Sequence, residues 1–380
     1  MIKLAFVSDL DVHDINSWSG SIYYMAKGLE KQSGLRINYI SPLKNKWKIL
    51  CKIKQKGYRL LGNSYSHRCE PLVLSSYARQ VEAKIKKMRP DVVFSCGKPP
   101  AVYLKCDMPL VFCDDASVPA IMKTHPAYKN IRSSCLNVLI DAERRLLNNA
   151  CLALYSSEWA AEAAVNYFNV RPPGKVKVVP WGANLECNRD EDQIGAIINQ
   201  RLRSNNCKIL FIGTDWGHKG GDIVLRVAEC LHNSRIPVVV DVLGCRPPHE
   251  VPEYIKVHGF ISKSNPKGIA RIDGLFRESH FLLVPSEADC TPIVFAEASS
   301  YGLPSISRDI GGISTMICSG QNGMVFSFDE GPEQYASYIS DKWSDKAEYE
   351  ELSRSAFSYY RNDLNWNVFG KRVIDLLERI

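Results

Sequence analysis

Apolar residues along this chain alternate between two patterns, short unbroken runs and longer segments with helical spacing. The first run covers residues 3–7 and leads into a polar loop over 9–20. From about Ser21, the residues Ile22, Met25, Ala26 and Leu29 recur at three- and four-residue intervals, which predicts a helix. Strands are expected at 36–40, 91–95, 110–113, 151–155 and 175–179, with helices at 77–88 and 131–149. A second series opens with a strand at 208–212, a loop at 213–221 and a helix to about Leu231. Further strands are expected at 238–243, 256–259, 281–284 and 304–307.

Strands alternating with helices imply parallel sheets covered on both faces. The polar, asparagine-rich stretch 183–206 separates the two series and reads as a linker with a short helix. The expected organisation is a first domain over 1–184, a linker over 185–206 and a second domain over 207–361. A terminal helix over 362–380 rejoins the first domain. The fold class is α/β, with two doubly wound Rossmann-like domains facing each other across a cleft. Ligands of such sheets bind at the carboxyl ends of the strands, where the polar loops gather.

Composition narrows the class. A chain of 380 residues with 45% hydrophobic and 23% charged residues suits a globular protein of about two domains. No uncharged apolar stretch reaches the roughly 18 residues of a membrane-spanning helix. The opening apolar run of Leu4–Val7 is short for a signal peptide and is expected to be a strand. Thirteen cysteines form neither a CxxC pair nor a zinc-spaced cluster. Reduced thiols in a cytoplasmic protein are therefore expected.

The net charge of +7 is unevenly spread. Residues 43–61 hold six lysines, one arginine and no acid. Lys44, Lys48, Lys52 and Lys56 recur every four residues, with Trp47, Leu50, Cys51 and Ile53 as apolar cover. Three readings stay open: a solvated basic helix, a peripheral contact with anionic membrane, or a site for a phosphate-bearing acceptor. The stretch lacks a nucleic-acid reader motif, so no nucleic-acid partner is expected. No GxGxxG follows a strand, which argues against a nicotinamide-dependent dehydrogenase.

The richest chemistry lies in 284–312. A strand ends near Pro285, a polar loop follows, and Thr291 is expected to cap a helix whose first residue is Pro292. Free N–H groups of Ile293 and Val294 would then form an anion site. Asp289 precedes this helix and Glu297 lies inside it. With its two acids eight positions apart, the segment resembles the signature of retaining GT-B glycosyltransferases of family GT4. In this chain Asp289 stands where the family has a glutamate.

That resemblance implies roles for several residues. Glu297 would bond the nucleotide ribose, and Asp289 the donor-sugar hydroxyls. The loop Gly213-Thr214-Asp215-Trp216-Gly217-His218-Lys219 is similar to the family's diphosphate loop. Lys219 matches, whereas Thr214 occupies the position of a phosphate-binding arginine. His218, Arg308 and Lys263 are candidate replacements. Ser19, Gly20 and Ser21 correspond to a glycine loop near the donor phosphates, although an ordinary turn fits equally. Phe260 and Ile261 follow the strand that receives the base. Asp115, after a buried strand, is a candidate for orienting a hydroxyl.

Catalysis is assigned to Asp115, Lys219 and Asp289. Donor binding is assigned to Ser19, Gly20, Ser21, Gly213, Thr214, Lys219, Phe260, Ile261, Asp289, Thr291, Ile293, Val294 and Glu297. The implied activity is sugar transfer from a nucleoside diphosphate to an acceptor hydroxyl of a glycan, glycolipid or small molecule, with no metal and no cofactor. The rival is an inactive sugar-nucleotide-binding or assembly module on the same fold.

Overall fold

The computed structural model describes residues 1–125, 128 and 130–380. The chain divides into two units, Met1–Trp181 with Trp366–Ile380, and Gly182–Asn365.

The first unit is built on strands β1 (Ile2–Val7), β2 (Leu35–Ile40), β3 (Val92–Cys96), β4 (Leu110–Asp114), β5 (Leu152–Tyr155) and β6 (Val176–Val178). Their order is β2-β1-β3-β4-β5-β6, and every pairing is parallel. Strands β3, β4 and β5 are buried along their whole length, as uninterrupted apolar runs require when helices cover both faces. The order reverses between β1 and β3. Loops leaving those two strands therefore flank a crevice at the carboxyl edge.

Two helices of this unit meet with unusual closeness. Ser21–Glu30 packs on Trp366–Leu377. A Cβ at Gly28 would stand 2.2 Å from the Trp366 carbonyl oxygen, and one at Gly370 would stand 2.5 Å from that of Gly28. Glycine at both positions lets the two backbones touch. Gln32 reinforces the crossing by donating to the Gly28 carbonyl and to Asn367 Oδ1, each at 3.0 Å.

The second unit repeats the plan with β7 (Cys207–Ile212), β8 (Val238–Leu243), β9 (Ile255–Gly259), β10 (Phe281–Leu283), β11 (Ser305–Arg308) and β12 (Gly323–Phe326). The order is β12-β11-β10-β7-β8-β9, again all parallel. Its reversal lies between β7 and β10. The two loops with the richest sequence signal leave those two strands.

Four expectations need correction. The helix expected at 77–88 spans Pro71–Met88, because Pro71 takes the first helical position after the extended Glu70. Within the supposed linker, Glu191–Leu202 is a helix with an Asp190–Gln193 capping box. Its Ile194, Ile197 and Ile198 are buried in the second unit's core. Buried Arg201 donates to the carbonyls of Phe276, Arg277, Tyr301 and Gly302 at 2.7–3.0 Å. The helix after Pro292 begins only at Val294, with Ile293 at the cap position. Phe295 N–H bonds the Pro292 carbonyl at 3.2 Å, so a tight turn precedes the first α-helical residue. Finally, not every thiol is free. Cys69 and Cys135 form a disulfide, while the other eleven cysteines are not in one.

Candidate functional site

In the second unit the loop after β7 folds back on itself. Gly220 has φ +78°, and a Cβ there would lie 2.1 Å from the Pro285 carbonyl oxygen. Only glycine permits that approach. Glu287 N–H donates to the His218 carbonyl at 3.0 Å, which ties this loop to the one after β10. Asp215 accepts from His218 N–H at 2.7 Å, and Trp216 Nε1 donates to Asp222 at 2.8 Å. The folded loop lays the Lys219 stem over Gly213 and brings its ammonium onto the Asp289 carboxylate. Two residues assigned from sequence thus meet across the strand-order reversal.

Glu297, buried on its short helix, is held by Lys263 from the loop after β9. This contact ranks the candidates for the position left vacant by Thr214, which is itself exposed. Arg308 lies over the Phe328 ring, 4.6 Å from its centroid. His218 is engaged in the loop through its backbone. Lys263 has its cation on Glu297, one of the two signature acids. Beside it, Phe260 projects from the end of β9 with 77% of its surface exposed, and Ile261 is half-buried. Beneath them, Asp241 of β8 and His258 of β9 form a 2.6 Å pair that sequence reasoning missed. Neighbouring strands brought it together, and no spacing along the chain announces it.

The first unit concentrates charge differently. Asp114 ends β4 and binds Lys98, which follows β3, at 3.2 Å. Glu143, fully buried, lies 3.5 Å from the same ammonium. It also accepts from Tyr155 OH and Val118 N–H, each at 2.6 Å. Lys98, Asp114, Val118 and Glu143 line a cavity with Arg68, Asp115 and Tyr128. Burial disfavours the Lys98 ammonium, but Asp114 and Glu143 outweigh it and hold its pKa above the usual lysine value. Burial, reinforced by the Asp114 charge, pushes the Asp115 carboxyl well above the usual carboxylate range. Burial raises Asp9 too, against the pull of Arg68. Asp115 gives its N–H to Asp114 at 2.9 Å, so Asp114 rather than Asp115 anchors the lysine.

Lys98 and Glu143 were not anticipated. Glu143 carried a signal: it falls on the apolar face of its helix, among Leu139, Ala142, Leu146 and Leu147. The glycine loop of this unit runs through the left-handed region. Trp18, Ser19 and Gly20 take φ of 49°, 55° and 93° in succession. Two consecutive non-glycine residues in the left-handed region store strain of about 1–3 kcal/mol each, which is typical of functional loops.

Both sheets, with their helices, match solved GT-B structures. The lipopolysaccharide outer core galactosyltransferase WaaB aligns over all of both chains with a TM-score of 0.65 at 13% identity. Anabaena HepE in complex with UDP does so with a TM-score of 0.66 at 14% identity. The fold is therefore GT-B. Residues 206–345 match the family model described as glycosyl transferases group 1. Among curated relatives, the D-inositol 3-phosphate glycosyltransferase of Gordonia bronchialis is 24% identical over 196 residues, 48% of this chain and 43% of the relative. Spore coat protein SA of Bacillus subtilis is 24% identical over 80% of this chain and 82% of its own. The chain spans about half the length of the first curated relatives it matches.

Proposed function

We propose that this chain is a retaining, metal-independent glycosyltransferase. In this reading it moves a sugar from a nucleoside diphosphate to an acceptor hydroxyl in glycan, glycolipid or polysaccharide synthesis. The observation that carries it is the pair of lysine–carboxylate contacts, Lys219–Asp289 and Lys263–Glu297, beside the strand-order reversal of the second unit. A diphosphate arriving there would take over both ammonium groups. It would release Asp289 toward sugar hydroxyls and Glu297 toward the ribose. As the bond from sugar carbon to phosphate oxygen breaks, negative charge grows on the diphosphate, and fixed cations stabilise that change. The departing oxygen accepts the acceptor's proton. The group 1 match, the glycosyltransferase relatives and the neighbours crystallised with UDP and UDP-glucose support the reading. Eleven free thiols support a cytoplasmic setting.

Melting the protein with UDP-, GDP- and ADP-linked sugars tests this. A cognate donor at about 100 times its Kd adds roughly 2.7 kcal/mol of stability. Nucleotide release on adding acceptors then separates an enzyme from an inactive binding module. Glu297→Gln should weaken bare nucleoside diphosphate binding by about 1–2 kcal/mol, the scale of one charge-assisted hydrogen bond. Asp289→Asn should leave that binding nearly unchanged and lower kcat. No melting shift with any donor would overturn the proposal.

A further inference from the structure

The helix Lys48–Leu60 shows water the side that an amphipathic helix ordinarily hides. Of its thirteen residues only Cys51 is buried. Its inner side is fastened by that cysteine, by Lys54 bonding Glu70 at 2.8 Å, and by Tyr58 against Tyr65 with ring centroids 5.3 Å apart. Its outer side carries Ile49, Ile53 and Leu60, which are 77%, 63% and 87% exposed. At about 100° per residue these three fall within roughly 40° of one another, a single stripe along the helix. Leu61 and Trp47 extend the exposed apolar surface at either end. Lys52, Lys56 and Arg59, all exposed, run alongside, and no acid occurs anywhere from Leu43 to Leu61.

Aliphatic side chains gain when they leave water, and a stripe of this size marks an interaction surface. The lysine flank selects the partner. Polar tracts such as nucleic acid offer the cations phosphate but give the isoleucines nothing. A bilayer surface bearing anionic headgroups satisfies both, with the stripe in the acyl boundary and the cations at the phosphates. No helix among the described residues is long and apolar enough to cross a membrane, so the contact would be a lateral one. We propose that the helix Lys48–Leu60 docks the first unit on an anionic lipid bilayer, lying in the plane of the interface.

Cosedimentation of the full chain with vesicles tests the proposal, using phosphatidylcholine alone and phosphatidylcholine mixed with phosphatidylglycerol. Two variants use exposed positions only. Lys48 and Lys52 are left in place because they also line a cavity with Asp9, Asn45 and His67. The wild type should bind the anionic vesicles at low salt and leave the neutral ones. Replacing the stripe (Ile49→Gln, Ile53→Gln, Leu60→Gln) should weaken that binding at least about 100-fold. Replacing flank cations (Lys46→Gln, Lys56→Gln, Arg59→Gln) should weaken it by a similar factor, at roughly fivefold per charge. Wild type that stays in the supernatant with anionic vesicles would overturn the idea. So would a stripe variant that binds as well as wild type, since the helix would then not enter the interface. A concentration-dependent dimer that the stripe variant abolishes, without vesicle binding, would assign the face to a second copy instead.

Discussion

The two units solve the same topological problem with opposite electrostatics. In the second, each signature acid has one lysine, and each pair is partly open to water. In the first, Lys98 is nearly enclosed and binds two acids, while burial raises Asp9 and Asp115 against the nearby charges, Arg68 for Asp9, and Lys98 then Arg68 for Asp115. Open one-to-one pairs exchange partners readily, because water and an incoming anion can replace each contact. A closed, acid-rich cluster cannot, since every group left unpaired would remain desolvated. On the proposed function, the second unit's pairs would let a charged ligand come and go, whereas the first unit's cluster holds its shape around a polar cavity.

The largest expected effect is the one that breaks the closed cluster. Lys98→Met strands Asp114 and Glu143 in the interior and should lower stability by about 3–5 kcal/mol in urea unfolding. Adding Glu143→Gln should return part of that loss. If the double variant is no better than the single one, the two groups do not act together.

Titration sharpens the contrast next. His280, buried in the second unit, accepts from Lys208 N–H and bonds the Arg201 carbonyl, each at 3.0 Å. Burial, chiefly, lowers its pKa to about 4. The unfolded chain binds the proton near pH 6.5 while the folded chain refuses it until about 4. Stability from this group is therefore complete above 6.5 and lost as pH falls toward 4, a change of about 3 kcal/mol. Raised carboxyls such as Asp115 act in the reverse sense, binding protons more tightly when folded and favouring the first unit at lower pH. Denaturant unfolding at pH 6.5 and 4.5 should show the His280 slope, and His280→Gln should flatten it.

The smallest effects concern the open pairs. Lys219→Ala should lower kcat/KM about 30-fold, or ~2 kcal/mol of transition-state stabilisation, the low end for losing one preorganised donor. Lys263→Gln should weaken nucleoside diphosphate binding about tenfold and leave a bare nucleoside unaffected. Calorimetry with both ligands reads this directly. Equal losses for nucleoside and diphosphate would mean that Lys263 acts on the ribose side through Glu297.

Local patterns made much of this architecture legible. Apolar runs placed eleven of the twelve strands among the described residues within about two residues, and the resemblance of residues 284–297 pointed to Asp289 and Glu297. The shortfall lies in contacts between distant residues. Sequence names Lys263 beside His218 and Arg308 without a ranking, because Glu297, the acid it reaches, lies 34 positions away. Cys69 and Cys135 are separated by 66 residues and became partners only when two elements packed together. The false linker arose because a helix with charged outer faces looks polar on average, while three isoleucines suffice to bury it. Of the apolar cover expected for residues 43–61, Cys51 turns inward while Trp47 and Ile53 face water, since apolar spacing predicts a face but not the direction in which it turns.

The glycine-to-backbone contact between Ser21–Glu30 and Trp366–Leu377 sets a schedule. Gln32 waits for Asn367, 335 residues later in synthesis. At about 5–20 residues per second, that interval is tens of seconds on the ribosome. Throughout it, the surface of the first helix that Trp366 and its neighbours will cover stays bare, and before it ends every strand of the second sheet has been made. The unit that is made first is therefore finished last. Nascent chains of this protein pass through a stage in which a closed second unit is attached to an open first one, and in that interval a chaperone has a defined apolar groove to occupy.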